Sequence, residues 1–309
     1  MEEILSIVPT AIAEKIIAMP THIQPLIEEI RIRIDRPLEV TARGIPYFLP
    51  YVVTKKDGEQ LINKLANHSF YTLEEELKRG YITIEGGHRV GLAGKVILDG
   101  GKVKAIRHLA SFNIRVAREA IGIAAPLIPS LYKNRWKHTM IIGAPQTGKT
   151  TMLRDIARIV STGFPEESIP IPPYKVGIVD ERSEIAGCVH GVPQLQFGPR
   201  IDVLDACPKA EGMMMLIRSM SPDVIIVDEI GRREDGQAIL EAVNAGITLI
   251  MTTHGHSLEE ISKRPYLKEI IEMNVIERFI ELSRGDNPGL IKDIKNQAGA
   301  SLLEKASVT

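Results

Sequence analysis

The sequence predicts an α/β fold in two parts: a smaller N-terminal α+β domain, then a larger domain built on a mostly parallel sheet. Three observations carry that prediction. The 309 residues, 44% hydrophobic and 25% charged, are enough for two globular cores. Short strands separated by turns dominate up to about residue 120, whereas from residue 138 buried strands alternate with helices, the order that builds a parallel sheet. Between them, Ile121-Gly-Ile-Ala-Ala-Pro-Leu-Ile-Pro-Ser130 sets two prolines in an apolar run, which marks a boundary. The expected organisation is an α+β domain over 1–120, a linker over 121–137 and the α/β domain over 138–309.

Along the first part, Ile4, Leu5, Ile7, Ile12, Ile16 and Ile17, broken by Pro9 and Pro20, predict two short helices. Glu29-Ile-Arg-Ile-Arg-Ile34 alternates charged and apolar residues as a half-buried strand does, and Leu38–Thr41 resumes the sheet after Arg36-Pro37. Helical periods follow over Asp57–Asn67 and Thr72–Arg79, the second with Thr72 as N-cap, Glu75 three residues on and Gly80 as its stop. Tyr81–Ile84, His88–Leu92, Lys95–Leu98 and Val103–Ile106 are strand candidates, with Gly86-Gly87 and Asp99-Gly100-Gly101 as turns. The basic positions here are Arg89, Arg107, Arg115 and Arg118. Two readings stand for them: solvated strand edges, or a return of Arg115 or Arg118 towards a ligand of the second domain. Trp136, the single tryptophan, is expected to pack between the domains.

The second part opens on His138-Thr-Met-Ile-Ile, a buried strand, followed by Gly143-Ala144-Pro145-Gln146-Thr147-Gly148-Lys149-Thr150-Thr151 and a helix to about Ser161. That is the phosphate-binding loop G-x-x-x-x-G-K-[ST] in the strand-to-helix context the motif requires. Its glycines let the backbone N–H groups turn inward as an anion nest, and the helix N-terminus adds its positive end. Lys149 is expected on the β- and γ-phosphates and Thr150 on Mg²⁺, so the implied ligand is a nucleotide with Mg²⁺. Further strands are predicted over Lys175–Val179, Val224–Val227 and Ile247–Met251, with Val275–Leu282 as a last strand or helix edge, and helices over Lys209–Met220 and Glu234–Ala245. The tail from about residue 296 reads as small and polar.

Ligands of parallel α/β sheets sit outside the carboxyl ends of the strands. Besides the phosphate loop, Asp180-Glu181-Arg182-Ser183-Glu184, Asp228-Glu229 and Thr252-Thr253-His254 all fall there. An apolar strand ending in Asp228 fits the magnesium-holding carboxylate, and Glu229 fits a water-polarising base, with Asp180, Glu181 and Glu184 as rivals for that role. His254 is either a sensor of the γ-phosphate, a link to a neighbouring subunit, or a strand-end histidine bonded to a loop. Hydrolysis also calls for a cation opposite the developing charge. The candidates are Arg115, Arg118 and Arg182 first, then Arg200, Arg218, Arg232 and Arg233.

A formal charge of −1 gives no general attraction for nucleic acid or anionic membranes. Cys188 and Cys207 have no metal-ligand spacing and suit buried, reduced thiols of a cytoplasm. No signal segment is read at Met1-Glu2-Glu3, and no apolar run approaches the roughly 18 residues that span a bilayer, so membrane attachment is expected only through partners.

Arg218-Ser-Met-Ser-Pro222-Asp223 leading into Asp228-Glu229, followed by Thr252-Thr253-His254, resembles the type II and type IV secretion and pilus-retraction ATPases, and Asp180–Glu184 is similar to their acidic box. That resemblance implies a RecA-like P-loop core after a smaller N-terminal domain, and hexameric rings with nucleotide between the two domains. A closer resemblance lies in Glu29–Arg33, Gly80–Leu92, Phe112–Arg118 and Val179–Glu184, which look like the stage III sporulation protein AA family of endospore-forming bacteria. It implies a cytoplasmic ATPase working with membrane channel proteins between mother cell and forespore. Asp228 departs from the secretion ATPases, which usually have Gly there, and leaves the base open between Glu229 and an acidic-box carboxylate.

Two other classes compete with a ring-forming ATPase motor. A nucleic-acid-stimulated RecA-like ATPase calls for a basic stripe and stacking aromatics, which 5% aromatic content does not favour. A nucleotide-binding switch with little hydrolysis is the other. No N-K-x-D guanine motif follows the phosphate loop, which favours ATP over GTP, and no substrate pocket of a small-molecule kinase can be read.

Overall fold

The computed structural model describes residues 1–66, 77, 79–165, 170–285 and 288–303. The chain divides into two compact units, Met1–Arg118 and Glu119–Thr309.

In the first unit α1 (Glu2–Ile7) and α2 (Thr10–Ile17) precede β1 (Ile27–Arg33), β2 (Pro37–Ala42) and β3 (Ile45–Val52). Then come α3 (Lys55–Ala66), β4 (Tyr81–Ile84), β5 (His88–Asp99) and β6 (Lys102–Arg115). Among the described residues these strands form one six-stranded sheet in the order β3-β2-β1-β6-β5-β4, antiparallel throughout. The alternation read in the sequence sets its faces: Ile30 and Ile32 are fully buried with Val40, Val90, Phe112 and Ile114, against Ile4, Ile12 and Ile16 of the first helices and Leu61 of α3. Thr54 and Asp57 cap α3 reciprocally: the Thr54 N–H donates to the Asp57 carboxylate at 2.8 Å, and the Asp57 N–H donates to the Thr54 hydroxyl at 3.2 Å.

Several expectations change here. His88–Leu92 and Lys95–Leu98 are one continuous strand, because Gly94 is a bulge rather than a turn. A Cβ there would lie 2.7 Å from the carbonyl oxygens of Arg107 and His108, so the neighbouring strand passes too close for any side chain. Strand β3 goes unread in the sequence because Pro46 and Pro50 break its pattern, which an edge strand tolerates. Of the helix expected over Thr72–Arg79, residues 72–76 and 78, including the Thr72 cap and Glu75, lie outside the described residues.

The second unit carries α4 (Ile128–Leu131), β7 (Thr139–Gly143), α5 (Lys149–Thr162), β8 (Val176–Asp180), β9 (Ile201–Asp205) and α6 (Lys209–Ser219). It continues with β10 (Val224–Val227), α7 (Arg233–Asn244), β11 (Thr248–His254), α8 (Leu258–Ile261), α9 (Pro265–Glu272), β12 (Arg278–Ser283) and β13 (Leu290–Asn296). Among the described residues the sheet has seven strands, ordered β13-β12-β7-β11-β10-β8-β9; all neighbours are parallel except the β12–β13 hairpin. Strands β7, β8 and β10 are buried along their whole length between two cores, which is why they read as unbroken apolar runs.

The segment expected as a linker contributes to the core of this unit: Ala124, Leu127, Ile128, Leu131 and Trp136 are all buried there. Trp136 is therefore a core residue of the second unit, edge-on to Tyr132 at 5.2 Å and Tyr174 at 6.4 Å. The ambiguous run near residue 280 is strand, paired with β7 and with the unread β13.

Candidate nucleotide-binding site

The buried strand β7 delivers the chain to Gly143, and the loop beyond it is shaped by what cannot fit. A Cβ on Gly143 would lie 2.3 Å from the Thr147 hydroxyl, and one on Gly148, at φ +87°, would lie 2.4 Å from the Gly289 amide nitrogen. Gln146 also takes a positive φ of 65°. The Thr147 hydroxyl donates to the Ala144 carbonyl at 2.9 Å, and the Gly289 N–H to the Thr147 carbonyl at 2.8 Å, so the β12–β13 hairpin braces the loop from outside. Pro145 and Gln146 are exposed, and Thr151 is partly buried on the first turn of α5. Lys149 is buried, its ammonium donating to the carbonyls of Gly143 at 2.8 Å and Ala144 at 3.0 Å. Burial lowers its pKa, while Asp228 and Glu229 pull it back up.

Three elements meet at Asp228. The Thr150 hydroxyl at the start of α5 donates to its Oδ2 at 2.7 Å. On its Oδ1 it accepts the Glu229 N–H at 3.0 Å and the hydroxyl of Thr252 from β11. Thr252 also accepts the Glu229 N–H at 2.8 Å, which pins the turn in which Glu229 takes φ +54°. The Glu229 carboxylate faces Arg182 at 3.0 Å. His254 stands exposed at the end of β11, level with Gly143, its carbonyl accepting from Arg264 at 2.5 Å. A cavity of about 480 Å³ opens here, lined by Pro145, Arg182, Glu229, Thr253, His254 and Arg264 among others.

The acidic carboxylates are held in different ways. Asp180, buried at the end of β8, accepts the N–H groups of Glu184, Ile185 and Ala186, each at 2.9 Å, and burial pushes its pKa up to about 6 against those bonds. Both its oxygens are thus spent on the loop. Burial also works against the charge on Glu181, but the buried Lys209 bonded to it and Arg232 at 3.1 Å bring its pKa down overall. Arg154 of α5 donates to the carbonyls of Glu184 and Ile185, both at 2.7 Å.

Of the arginines named from sequence, Arg182 and Arg232 lie at this site. Arg200 donates to the Pro173 carbonyl, Arg218 is exposed at the end of α6, and Arg233 is exposed at the start of α7. Arg115 and Arg118 belong to the first unit, Arg115 lying 3.8 Å from Glu29 and Arg118 donating to the carbonyls of Pro25 and Ile27. The sequence reading missed Arg154 and Lys209. A signal existed for Arg154, which lies four residues beyond Thr150 and so on the same face of α5.

Two oxygen donors converging beside the glycine-shaped loop fit magnesium, which takes few protein ligands and fills its shell from phosphate and water. No cluster of three or more His, Cys, Asp or Glu able to hold a metal occurs among the described residues. Cys188 and Cys207 are free thiols, and burial pushes Cys188 up to about 12. No helix among the described residues is long and apolar enough to cross a membrane.

Comparison with known proteins agrees with this architecture. The pilus retraction motor PilT with bound ADP has a TM-score of 0.56 at 15% identity over 84% of this chain and 75% of that one. The ATPase DotB of Legionella pneumophila gives the same TM-score at 19% identity, over 84% of this chain and 73% of that one. At such identities the likeness is one of fold: a RecA-like P-loop core with an N-terminal domain. In sequence, the chain is 54% identical over 308 residues to stage III sporulation protein AA of Bacillus subtilis (strain 168), spanning 100% of this chain and 99% of that protein. The profile described as "Sporulation stage III, protein AA" matches residues 1–302, and the chain belongs to that family.

Proposed function

We propose that the chain is a magnesium-dependent ATPase whose second unit binds and hydrolyses ATP at Gly143–Thr151. The observation that carries this reading is the convergence of Thr150, Asp228, Thr252 and Glu229 beside the phosphate loop, with the Thr150–Asp228 hydrogen bond at 2.7 Å. Gly143, Ala144, Pro145, Gln146, Thr147, Gly148 and Thr151 form the cradle for the phosphates. Lys149 exchanges its two carbonyl partners for phosphate oxygens. Thr150 and Asp228 would hold Mg²⁺, which supplies neutralisation of the β- and γ-phosphate charge. Glu229 takes a proton as water attacks the γ-phosphorus and the bond to the bridging oxygen breaks. It suits that role better than Asp180, whose oxygens are occupied by backbone, or Glu181, which two cations hold. His254 faces the γ-phosphate end of the site, and Arg182, with Arg115 or Arg118, is a candidate for the opposing cation.

Family membership and the fold shared with PilT and DotB support the setting: a homo-oligomeric ring, hexameric by resemblance, in the cytoplasm. It would be held at the membrane by the channel proteins of a sporulation complex that it powers. The Arg182–Glu229 pair favours one second reading, a nucleotide switch with little turnover in isolation. The test is the steady-state ATPase rate per subunit as protein concentration rises, with Mg²⁺, beside Lys149→Ala, with and without DNA. A rate that climbs with concentration, vanishes in the variant and ignores DNA is expected. A rate independent of concentration removes sites shared between subunits, DNA stimulation promotes a nucleic-acid ATPase, and binding without turnover promotes the switch.

A further inference from the structure

The loop after β8 is gripped from two sides. Its N–H groups at Glu184, Ile185 and Ala186 are taken by the Asp180 carboxylate, each at 2.9 Å. On the other side, the carbonyls of Glu184 and Ile185 accept from the Arg154 guanidinium, each at 2.7 Å. Ser183, at φ +55°, donates its hydroxyl to Asp205 at 2.6 Å. These bonds engage four successive residues, Ser183 to Ala186, and restrain the loop. Arg154 engages through both its Nε and Nη2, a planar fork that a lysine does not match.

Arg154 belongs to α5, the phosphate-loop helix, one turn beyond Thr150 and on the same face. That face therefore touches two strand ends at once, the end of β10 through the Thr150–Asp228 bond and the loop after β8 through Arg154. Burial lowers the pKa of Arg154 overall, and Glu119, Asp180, Asp228 and Glu184 around it recover only part of that shift. Arg182 precedes the gripped residues in the same loop and lies 3.0 Å from Glu229.

We infer that Arg154 is a positioning residue that locks the acidic loop to the phosphate-loop helix, so that occupancy of the phosphate loop sets where Arg182 stands against Glu229. The guanidinium does not bind nucleotide itself; it transmits the position of the α5 N-terminus to residues 181–186. A kinetic consequence follows if the ATPase reading holds, since the inference rests on that reading for its effect on turnover though not for the clamp.

The test compares full-length wild type, Arg154→Gln and Arg154→Lys in three measurements: amide exchange at residues 184–186, affinity for a fluorescent ADP, and kcat with KM. With the Gln variant, exchange at Glu184, Ile185 and Ala186 is expected to accelerate about tenfold or more. The expected kcat falls by about tenfold, with ADP affinity and KM within about threefold of wild type. The Lys variant, able to reach one carbonyl at a time, lies between, and it carries the comparison if Gln prevents folding. Unchanged exchange overturns the clamp, and a loss of ADP affinity matching the loss of kcat makes Arg154 a nucleotide ligand instead. Absence of turnover in the wild type removes the ATPase reading alone, because the exchange measurement still decides the clamp.

Discussion

At the scale of single residues, Gly148 shows how closely the phosphate loop is specified. An alanine there meets the Gly289 backbone at 2.4 Å and must hold φ +87°, so Gly148→Ala is expected to cost about 2 kcal/mol or more, read as a lowered denaturation midpoint. Lys149 is different, because among the described residues its side chain hydrogen-bonds to two carbonyls. Lys149→Ala should therefore leave the fold intact yet reduce ATP turnover at least about a hundredfold. Asp180 makes a prediction in pH. Its folded pKa, about 6, stands above the ordinary 3.8, so between those values the folded state binds more protons than the unfolded one. Its contribution is best at low pH, declines as pH rises from about 4 to about 6, and is level above that. Thermal melts of wild type and Asp180→Asn across that range should converge towards pH 4 and diverge towards pH 6. Parallel curves would remove Asp180 as the titrating group.

At the scale of elements, the hairpin β12–β13 carries a buried charge network. Glu281 is 2% exposed, and it accepts from Lys295 at 2.9 Å and from the Leu258 N–H at 2.8 Å. Burial works against the charge on Lys295, but its bonds to Glu281 and Glu259 raise its pKa overall. Removing Glu281 leaves the buried Lys295 with the exposed Glu259 in place of its buried partner, so Glu281→Ala is expected to cost about 3 kcal/mol. Because β12 lies beside β7, and the hairpin also bonds the phosphate loop through Gly289, nucleotide affinity should fall with stability. A variant with lowered melting temperature but wild-type affinity would separate the hairpin from the site. At this scale the sequence was readable wherever one face or both faces of a strand are buried, as in β1 and β7. It was unreadable in β3, whose prolines sit on an edge, and in β13, which lies at the other margin of its sheet.

At the scale of the whole molecule, the proposed ligand contacts concern the second unit, and the stabilisation it confers should be traceable there. With Mg²⁺ and ATP at about a hundred times the dissociation constant, binding stabilises the native state by about 2.7 kcal/mol. Hydrogen exchange should locate the gain in residues 139–162, 180–186 and 224–229. Protection confined to β1–β6 of the first unit would move the nucleotide site away from the phosphate loop.

The fold class, the phosphate loop and the three strand ends that gather beside it were legible in the sequence, because these follow from local rules. Glycine spacing sets backbone conformations, unbroken apolar runs demand burial, and polar residues at strand ends fall on one edge of a parallel sheet. How the carboxylates differ emerges only from the packed chain. Asp180, Glu181 and Glu229 are alike in sequence, each an acid after an apolar strand. In three dimensions one binds backbone, one is held by Lys209 and Arg232, and one stands beside Asp228 facing Arg182. The same holds for Trp136 and the residues read as linker, which join the second core through partners distant in the chain. Asp180 finds its partners four to six residues on, but those of Glu181 and Glu229 lie far away in sequence, where no local pattern reaches.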